Sequence, residues 1–509
     1  MKVLAMYLPQ FHRVKENDEW WGEGFTEWVS VKDAEPFFDG HYQPRIPQDQ
    51  NYYDLMDKDT MVWQSSLMKK YKIDGVCMYH YWFKHGRQIL EKPAQNLLQW
   101  KEIDMPFCFC WANETWARSW SRIQNKNVWS AVREQDKNED KNGILLEQDY
   151  GNEAQWRQHF EYLLPFFKDE RYIKVEDKPL FLIYKESEIS CLPEMLECWK
   201  KLAEMNGLKG IYIIGAGENT DKRYGIDAKL HHQPSKSIKQ ISAMHTFKGR
   251  HDINVWDYKE IWEKILNEEP VGKVYFEGFV GYDDTPRRGE KGSIVFNTTP
   301  ETFSYYLAEL MAKSAARQND IVFVNAWNEW GEGMYLEPDE RQGEEYLNAV
   351  LYAKTHYSHL IDKYTEKNEE RTEGKLRQIE ELNKVINKSD CYLQLLDRWM
   401  ELREKGCSLT EKLYEAGYRK IAVYGYGILG RHFRNECIQS KVTVEYIIDR
   451  QKEGIHTNVP VYLPEEVFPE VELMVVTAVY DYDEIYKKLK EKNDCRVISL
   501  ETLIFEEEL

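Results

Sequence analysis

Eight short apolar runs punctuate the first two thirds of the chain, at residues 3–7, 75–79, 107–111, 180–184, 211–215, 228–232, 274–279 and 321–327. Most are separated by stretches in which apolar residues recur at helical spacing. Strands that alternate with helices pair in parallel. Eight such units in roughly 330 residues predict a (β/α)8 barrel of the TIM type with long loops. Polar and aromatic residues gather just after these runs, which in such a barrel is the C-terminal face, where catalytic groups sit.

The pattern changes at residue 358. From there to about 417 charge is dense and proline is absent. Ile379, Leu382, Ile386, Leu393, Leu396 and Met400 fall at alternating spacings of three and four, broken by Ser389. That predicts a helical connector with a short apolar seam, which either packs on the barrel or pairs with a second copy to give a homo-oligomer. Residues 418–509 read as a small Rossmann-like α/β domain. A strand at 421–424 meets Gly425-Tyr426-Gly427-Ile428-Leu429-Gly430, a helix follows, and a second strand ends at Asp449. Glycines between strand and helix, with an acid about 20 residues on, suit a nucleotide phosphate and ribose. Gly425, Gly427, Gly430 and Asp449 are therefore candidate contacts for a nucleotide or nucleotide sugar. A unit of this length holds only a mononucleotide half, and a degenerate module used for packing fits the same pattern. The domain reading is 1–357 barrel, 358–417 connector and 418–509 Rossmann-like unit.

Composition narrows the partners. Of 509 residues, 42% are hydrophobic and 30% charged, with a net charge of −19. Nucleic acid needs a basic footprint that this chain lacks, and an anionic membrane is disfavoured on the same ground. No apolar run approaches the roughly 20 residues of a membrane span. Met1-Lys2 leads straight into the first strand with no signal peptide, so a cytoplasmic protein with reduced thiols is expected. The nine cysteines are scattered, and no second pair completes a zinc site around Cys108 and Cys110. The chain has 17 Trp and 33 Tyr. Many stand beside Asn, Glu or His, as in Tyr79-His80-Tyr81-Trp82 and Trp111-Ala112-Asn113-Glu114-Thr115-Trp116. Aromatic faces stack on the C–H faces of sugars while the neighbouring amides and acids bond hydroxyls. Core filling accounts for part of the same set.

The chemistry concentrates where the eighth run ends, at Asn328-Glu329-Trp330-Gly331-Glu332-Gly333. Glycoside cleavage needs two carboxyl groups flanking the scissile bond, one protonated and one ionised. Glu329 and Glu332 converge if the segment curls into a turn. Trp111, Trp327 or Trp330 would then wall the cleft, and the Asn328 amide would bond a sugar hydroxyl. A second pairing stays open. Asn113-Glu114 follows the third run, so Glu114 can face Glu329 across the barrel mouth. Further candidate sugar contacts are Tyr7, Gln10 and His12; Tyr79, His80, Tyr81 and Trp82; and His232, beside His231 and Gln233. Glu27 and Trp28 are placed at the cleft rim. Asp283 and Asp284 are adjacent loop acids, expected to be solvated, and no metal is assigned to them.

Five segments make the chain recognisable: Ala5-Met6-Tyr7-Leu8-Pro9-Gln10-Phe11-His12, Trp21-Gly22-Glu23-Gly24-Phe25-Thr26-Glu27-Trp28, Gly40-His41-Tyr42-Gln43-Pro44-Arg45, Trp111-Ala112-Asn113-Glu114 and the acidic segment above. In this order they resemble the WbsX-type proteins, described as glycosyltransferases of bacterial surface-polysaccharide loci. More distantly, the barrel is similar to glycoside hydrolase family 99, the endo-α-mannosidases and mannanases, which carry a similar Asn-Glu-Trp-x-Glu-Gly segment. That resemblance implies that Glu329 assists the sugar's own 2-hydroxyl in attack, through an anhydrosugar and with retention. Glu332 would be general acid and then general base. The expectation is an enzyme acting on glycosidic bonds of an oligo- or polysaccharide, retaining hydrolysis first and transfer from a nucleotide sugar second, with no cofactor needed by the barrel. A non-catalytic glycan-binding scaffold is the third possibility. Sugar and linkage do not carry over, because the remaining loops differ from family 99.

Overall fold

The computed structural model describes residues 1–117, 144–217, 225–247, 253–492 and 494–506. It divides into two compact units, Met1–Asn368 and Glu369–Leu509.

The first unit is a closed barrel of eight parallel strands: β1 (Lys2–Tyr7), β2 (Gly75–His80), β3 (Phe107–Trp111), β4 (Lys178–Ile183), β5 (Tyr212–Gly215), β6 (Ala228–Leu230), β7 (Val274–Phe279) and β8 (Ile321–Asn325). All eight predicted runs become barrel strands. Each strand pairs with its successor. Phe109 opposite Phe181 joins the two halves, and Lys2 opposite Ile321 closes the ring of β8 on β1. These strands read as continuous apolar runs because they are buried on both faces, by the barrel interior and by the surrounding helices. Every residue of β3, β7 and β8 is buried.

The helices start where local chemistry dictates. Asn152 caps the helix Glu153–Phe167, and Gln155 reaches back to the Asn152 amide. Thr299 and Thr302 do the same for Pro300–Ala316, with proline at its first turn. Such reciprocal caps satisfy amides that have no partner inside the helix. A small sheet of His245–Phe247, Ile253–Asp257 and Ser293–Phe296 is built from the loops flanking β7. No helix among the described residues is long and apolar enough to cross a membrane.

The boundary between the units falls within one unbroken helix, Ile361–Glu404. Ser389 does not interrupt it, because its hydroxyl bonds back to the Val385 carbonyl at 3.0 Å. Among the described side chains the predicted seam is not the buried face; that of Ile379 lies outside them. Leu382, Ile386, Leu393 and Met400 are exposed, and Leu396 is only partly buried. Leu395, Trp399 and Leu402, at spacings of four and three, bury instead against Leu409, Leu413 and Phe433 of the second unit. Glu436 fixes this contact. It accepts from Trp399 Nε1 at 2.8 Å and from the Leu409 amide at 2.7 Å.

The second unit holds five parallel strands, β9 (Lys420–Tyr424), β10 (Thr443–Ile448), β11 (Val461–Tyr462), β12 (Leu473–Val476) and β13 (Arg496–Ser499), in the order β11-β10-β9-β12-β13. The strand order reverses beside β9, the place where doubly wound sheets open a crevice. Ile421 and Val423 face one layer of core, Ala422 and Tyr424 the other.

Candidate active site

The C-terminal ends of the barrel strands open into a cavity of about 590 Å³. Glu329, Glu332, Glu27 and Glu114 all line it, together with Gln10, Tyr79 and Tyr81. Its walls are Trp21, Phe25, Trp116 and Tyr184, and Arg287 stands among the acids.

The acidic segment curls as one tight turn. Asn328 and Glu329 pair with Met334 and Tyr335, and Trp330–Glu332 form a single helical turn between them. This turn brings the two carboxylates to one guanidinium. Arg287 Nη2 donates to Glu329 Oε2 at 2.7 Å, Nη1 to Glu332 Oε1 at 2.5 Å and Nε to Glu27 Oε1 at 2.6 Å. Three carboxylates therefore share one positive charge. The Glu329 side chain is 7% exposed and that of Glu332 26%. Burial pushes the Glu329 carboxyl up. Arg287 opposes the shift, and the like charges of Glu332 and Glu27 add to it. In the same cleft Glu114 pairs with Lys185 Nζ at 2.5 Å. The cleft thus brings both candidate acid pairings together, with Glu329 common to each.

Arg287 lies in a short helix, Thr285–Arg288, directly after the loop that follows β7. No motif marks it in the sequence. Its only signal is two arginines just beyond a barrel strand, where side chains of the catalytic face are expected. Asp283 and Asp284, read as solvated, are 1% and 3% exposed. Asp283 is saturated by His41 Nε2 at 2.9 Å, Gln43 Nε2 at 2.7 Å and Thr285 Oγ1 at 2.6 Å. Asp284 lines the cleft, and burial raises its carboxyl to about 6 despite the Ser293 amide and Arg288. No cluster of metal-ligating side chains occurs among the described residues.

The tryptophans expected as walls are core residues. Trp111, Trp327 and Trp330 are at most 2% exposed. Trp111 Nε1 donates to the Trp82 carbonyl at 3.1 Å, and Trp82 stacks on His159 with ring centres 4.4 Å apart. His80 joins the same cluster, its Nε2 2.8 Å from Nε2 of His159, and burial lowers it to about 3. It stays neutral and belongs to the barrel wall. Trp330 donates to Glu337 Oε2 at 2.7 Å and stacks on Tyr335. Trp28 packs on Phe11, Tyr53 and Trp330 and donates to the Tyr53 carbonyl. Tyr7 donates to Gln64 Oε1 at 2.8 Å beneath the cleft, and His12 is buried at 1% exposure. Asn113 accepts from the Lys185 amide and donates to the Lys185 carbonyl, tying two loops. His232 lies 3.0 Å from Glu277 and, with His231, lines an adjoining cavity of about 300 Å³ that shares Tyr184 and Lys185 with the cleft.

Asn328 is a clamp and does not reach the cleft. Its Oδ1 accepts from the Leu8 amide at 2.8 Å, and its Nδ2 donates to the Leu8 carbonyl at 3.0 Å. The loop after β8 is thereby laced to the end of β1. Asn328→Ala leaves two buried backbone groups unsatisfied and is expected to cost roughly 2 to 4 kcal/mol. Urea unfolding measures it, and unchanged stability would show that the clamp is dispensable.

In the second unit the glycine loop sits at the end of β9. Gly425 has φ +92°, and a Cβ on Gly430 would strike the Gly425 carbonyl at 2.0 Å. These two glycines are required by the turn and by close helix packing. Gly427 precedes the first residue of the helix Ile428–Ile438. Asp449 Oδ2 accepts from the Tyr426 amide at 2.6 Å and its Oδ1 from the Gln451 amide.

The model of the family described as glycosyltransferase WbsX matches residues 3–350. WxcX of Xanthomonas campestris pv. campestris (strain B100) is 34% identical over 370 residues, which cover 69% of this chain and 49% of the relative. The chain thus spans about half the length of the curated relatives it matches. Solved structures also align at low identity. The GH99 endo-α-mannosidase of Bacteroides thetaiotaomicron is 15% identical, covers 70% of this chain and 97% of its own, and has a TM-score of 0.39. The psychrophilic β-glucosidase BglU of Micrococcus antarcticus is 10% identical, covers 70% and 96%, and has a TM-score of 0.32. With the family model spanning the barrel from its first strand to its last, the chain belongs to the WbsX glycosyltransferase family.

Proposed function

We propose that the barrel cleaves glycosidic bonds of a bacterial surface polysaccharide or its precursor with retention, using Glu329 and Glu332. The observation that carries this reading is that both carboxylates open side by side into one aromatic-walled cleft on neighbouring nitrogens of Arg287. Burial, with the like charges of Glu332 and Glu27 beside it, holds the Glu329 carboxyl above the ordinary carboxylate range against the pull of Arg287. Glu329 takes the proton of the sugar's 2-hydroxyl, and that oxygen attacks the anomeric carbon. The C–O bond to the leaving group breaks as Glu332 protonates the departing oxygen. Water then opens the anhydrosugar, giving its proton to Glu332, while the 2-oxygen recovers its own from Glu329. A carboxyl raised by burial is a stronger base for an alcohol than an exposed one.

The pH profile checks this role. Glu329 must be ionised to act as base, and its carboxyl is raised in the folded protein. Activity is therefore lost as pH falls through that raised value, and the acid limb of kcat/KM is expected well above the ordinary glutamate value of about 4.3. A limb at about 4.3 would take Glu329 out of the base role.

Transfer from a nucleotide sugar is the second reading. The family description favours it, as does the reversal of strand order beside the glycine loop of the second unit. A nucleotide or nucleotide sugar would be held there by Gly425, Gly427 and Gly430. Incubating the full chain with the polysaccharide of its own organism, with and without nucleotide sugars, separates the readings by mass spectrometry. Shortened glycan without any donor supports hydrolysis. Product that appears only with a nucleotide sugar replaces hydrolysis by transfer, and no product under either condition would overturn both.

A further inference from the structure

A second cavity, of about 310 Å³, lies behind the catalytic segment. Glu332 and Asp284 line the cleft, while their chain neighbours Gly333 and Asp283 line this second cavity. The wall between the two is pinned by the Asp283 amide, which donates to the Glu332 carbonyl at 2.6 Å. The motif Gly40-His41-Tyr42-Gln43-Pro44-Arg45, which the proposed reaction does not use, supplies much of the lining.

The balance of donors and acceptors in this cavity is uneven. Its two acids are already satisfied. Asp283 takes His41, Gln43 and Thr285. Asp339 takes the Tyr335 hydroxyl at 2.7 Å and the amides of Arg341 and Gln342. Its two arginines are less fully paired. Arg45 Nη1 donates to the Tyr335 hydroxyl at 3.5 Å, and Asp283 Oδ2 is an ion-pair neighbour 3.7 Å from Nη2, too far for a hydrogen bond. Among the described residues the buried Arg45 Nε has no hydrogen-bond partner. Arg341 stacks over the Tyr42 ring at 4.6 Å, and among the described residues its guanidinium meets no carboxylate within 4 Å. A guanidinium offers five donors in a planar fork matched to carboxylate and phosphate oxygens, and buried donors left open call for a partner. In a chain of net charge −19, Arg45 with a buried donor left open and Arg341 with no carboxylate within 4 Å among the described residues mark a local site for an anion. The cavity has room for one monosaccharide beside that anion.

We infer that this cavity is a binding subsite for a sugar carrying an oxyanion, a carboxylate or a phosphate, held by Arg45 and Arg341 against Tyr42 and Tyr335. The sugar part of the inference rests on the proposed glycan-acting role; the anion part rests on the cavity alone. Saturation-transfer NMR and calorimetry on the full chain test it with D-glucuronate, D-glucose 6-phosphate and neutral D-glucose. At least one anionic sugar is expected to bind saturably, and at least about tenfold more tightly than glucose. Arg45→Gln and Arg341→Ala are each expected to weaken it about tenfold, the exposed Arg341→Ala at unchanged thermal midpoint. Binding of glucuronate alone assigns a uronic acid, and binding of the phosphate alone a phosphorylated sugar. Arg341 is exposed, so its variant carries the test if Arg45→Gln fails to fold. Equal binding of all three sugars, unchanged affinity in the variants, or no saturable signal from either anion would overturn the inference. Glu332→Gln is expected to leave this binding intact, which separates failure of the subsite from failure of the proposed reaction.

Discussion

Glu332→Gln is expected to lower turnover of an unactivated glycan by about 10²- to 10⁴-fold while glycan binding persists. The amide fills the same space and still faces Arg287, but it has no proton to give to the departing oxygen. An aryl glycoside, whose leaving group needs little protonation, is expected to be partly spared. Steady-state kinetics on the two substrate types measures the contrast. Near-normal turnover of the unactivated glycan would remove Glu332 from the mechanism and promote the pair of Glu114 and Glu329, which face the same cleft.

Arg287→Met is expected to have the largest effect on stability. It leaves Glu27 and Glu329, both buried, without their cation. Breaking a buried ion pair from one side costs about 3 to 5 kcal/mol. The cost depends on pH in a definite direction. In the variant the Glu329 carboxyl, already raised by burial, loses the cation that opposes the shift, so its folded-state value moves further above the unfolded value of about 4.3. Its protonated form fits the fold, so stability is retained below the unfolded value and lost as pH rises through the raised one. The deficit relative to the parent protein is therefore large at about pH 8 and shrinks towards about pH 5. Urea unfolding at both conditions checks this. An equal deficit at each would mean that Arg287 acts through packing alone.

The barrel was legible because burial on both faces leaves each strand a nearly unbroken apolar run, and eight of these in sequence admit few other folds. That Glu329 and Glu332 open into the cleft was legible because they stand at the end of the last run. The walls of the cleft were not. A tryptophan beside Asn or Glu looks the same whether its ring meets a sugar or fills the core. Trp111 and Trp330 went inward because the Trp82 carbonyl and Glu337 satisfy their N–H groups there, while Trp21 and Trp116 line the cleft. Asn328 was misread for a similar reason. An amide in a catalytic segment suits a hydroxyl, yet here both ends of the amide go to the Leu8 backbone. Arg287 escaped because its role appears only when Glu27, Glu329 and Glu332, distant in sequence, meet. The seam of the long helix misled because spacing identifies a stripe without saying whether a neighbour covers it.

The two glycines of the acidic segment are seats for other parts of the chain. A Cβ on Gly331 would lie 1.9 Å from Glu27 Oε1, and one on Gly333, at φ +60°, would lie 3.0 Å from Arg45 Nε. Each glycine is the vacant half of a contact whose other half was written hundreds of residues earlier. A recognition rule for this site should therefore be conjunctive: acids at 329 and 332, bare backbone at 331 and 333, a glutamate answering the first gap and an arginine the second. A sequence that keeps the two acids but fills position 331 has nowhere to put the carboxylate of Glu27. It should then be sorted with proteins that share the barrel and not with those that share its chemistry.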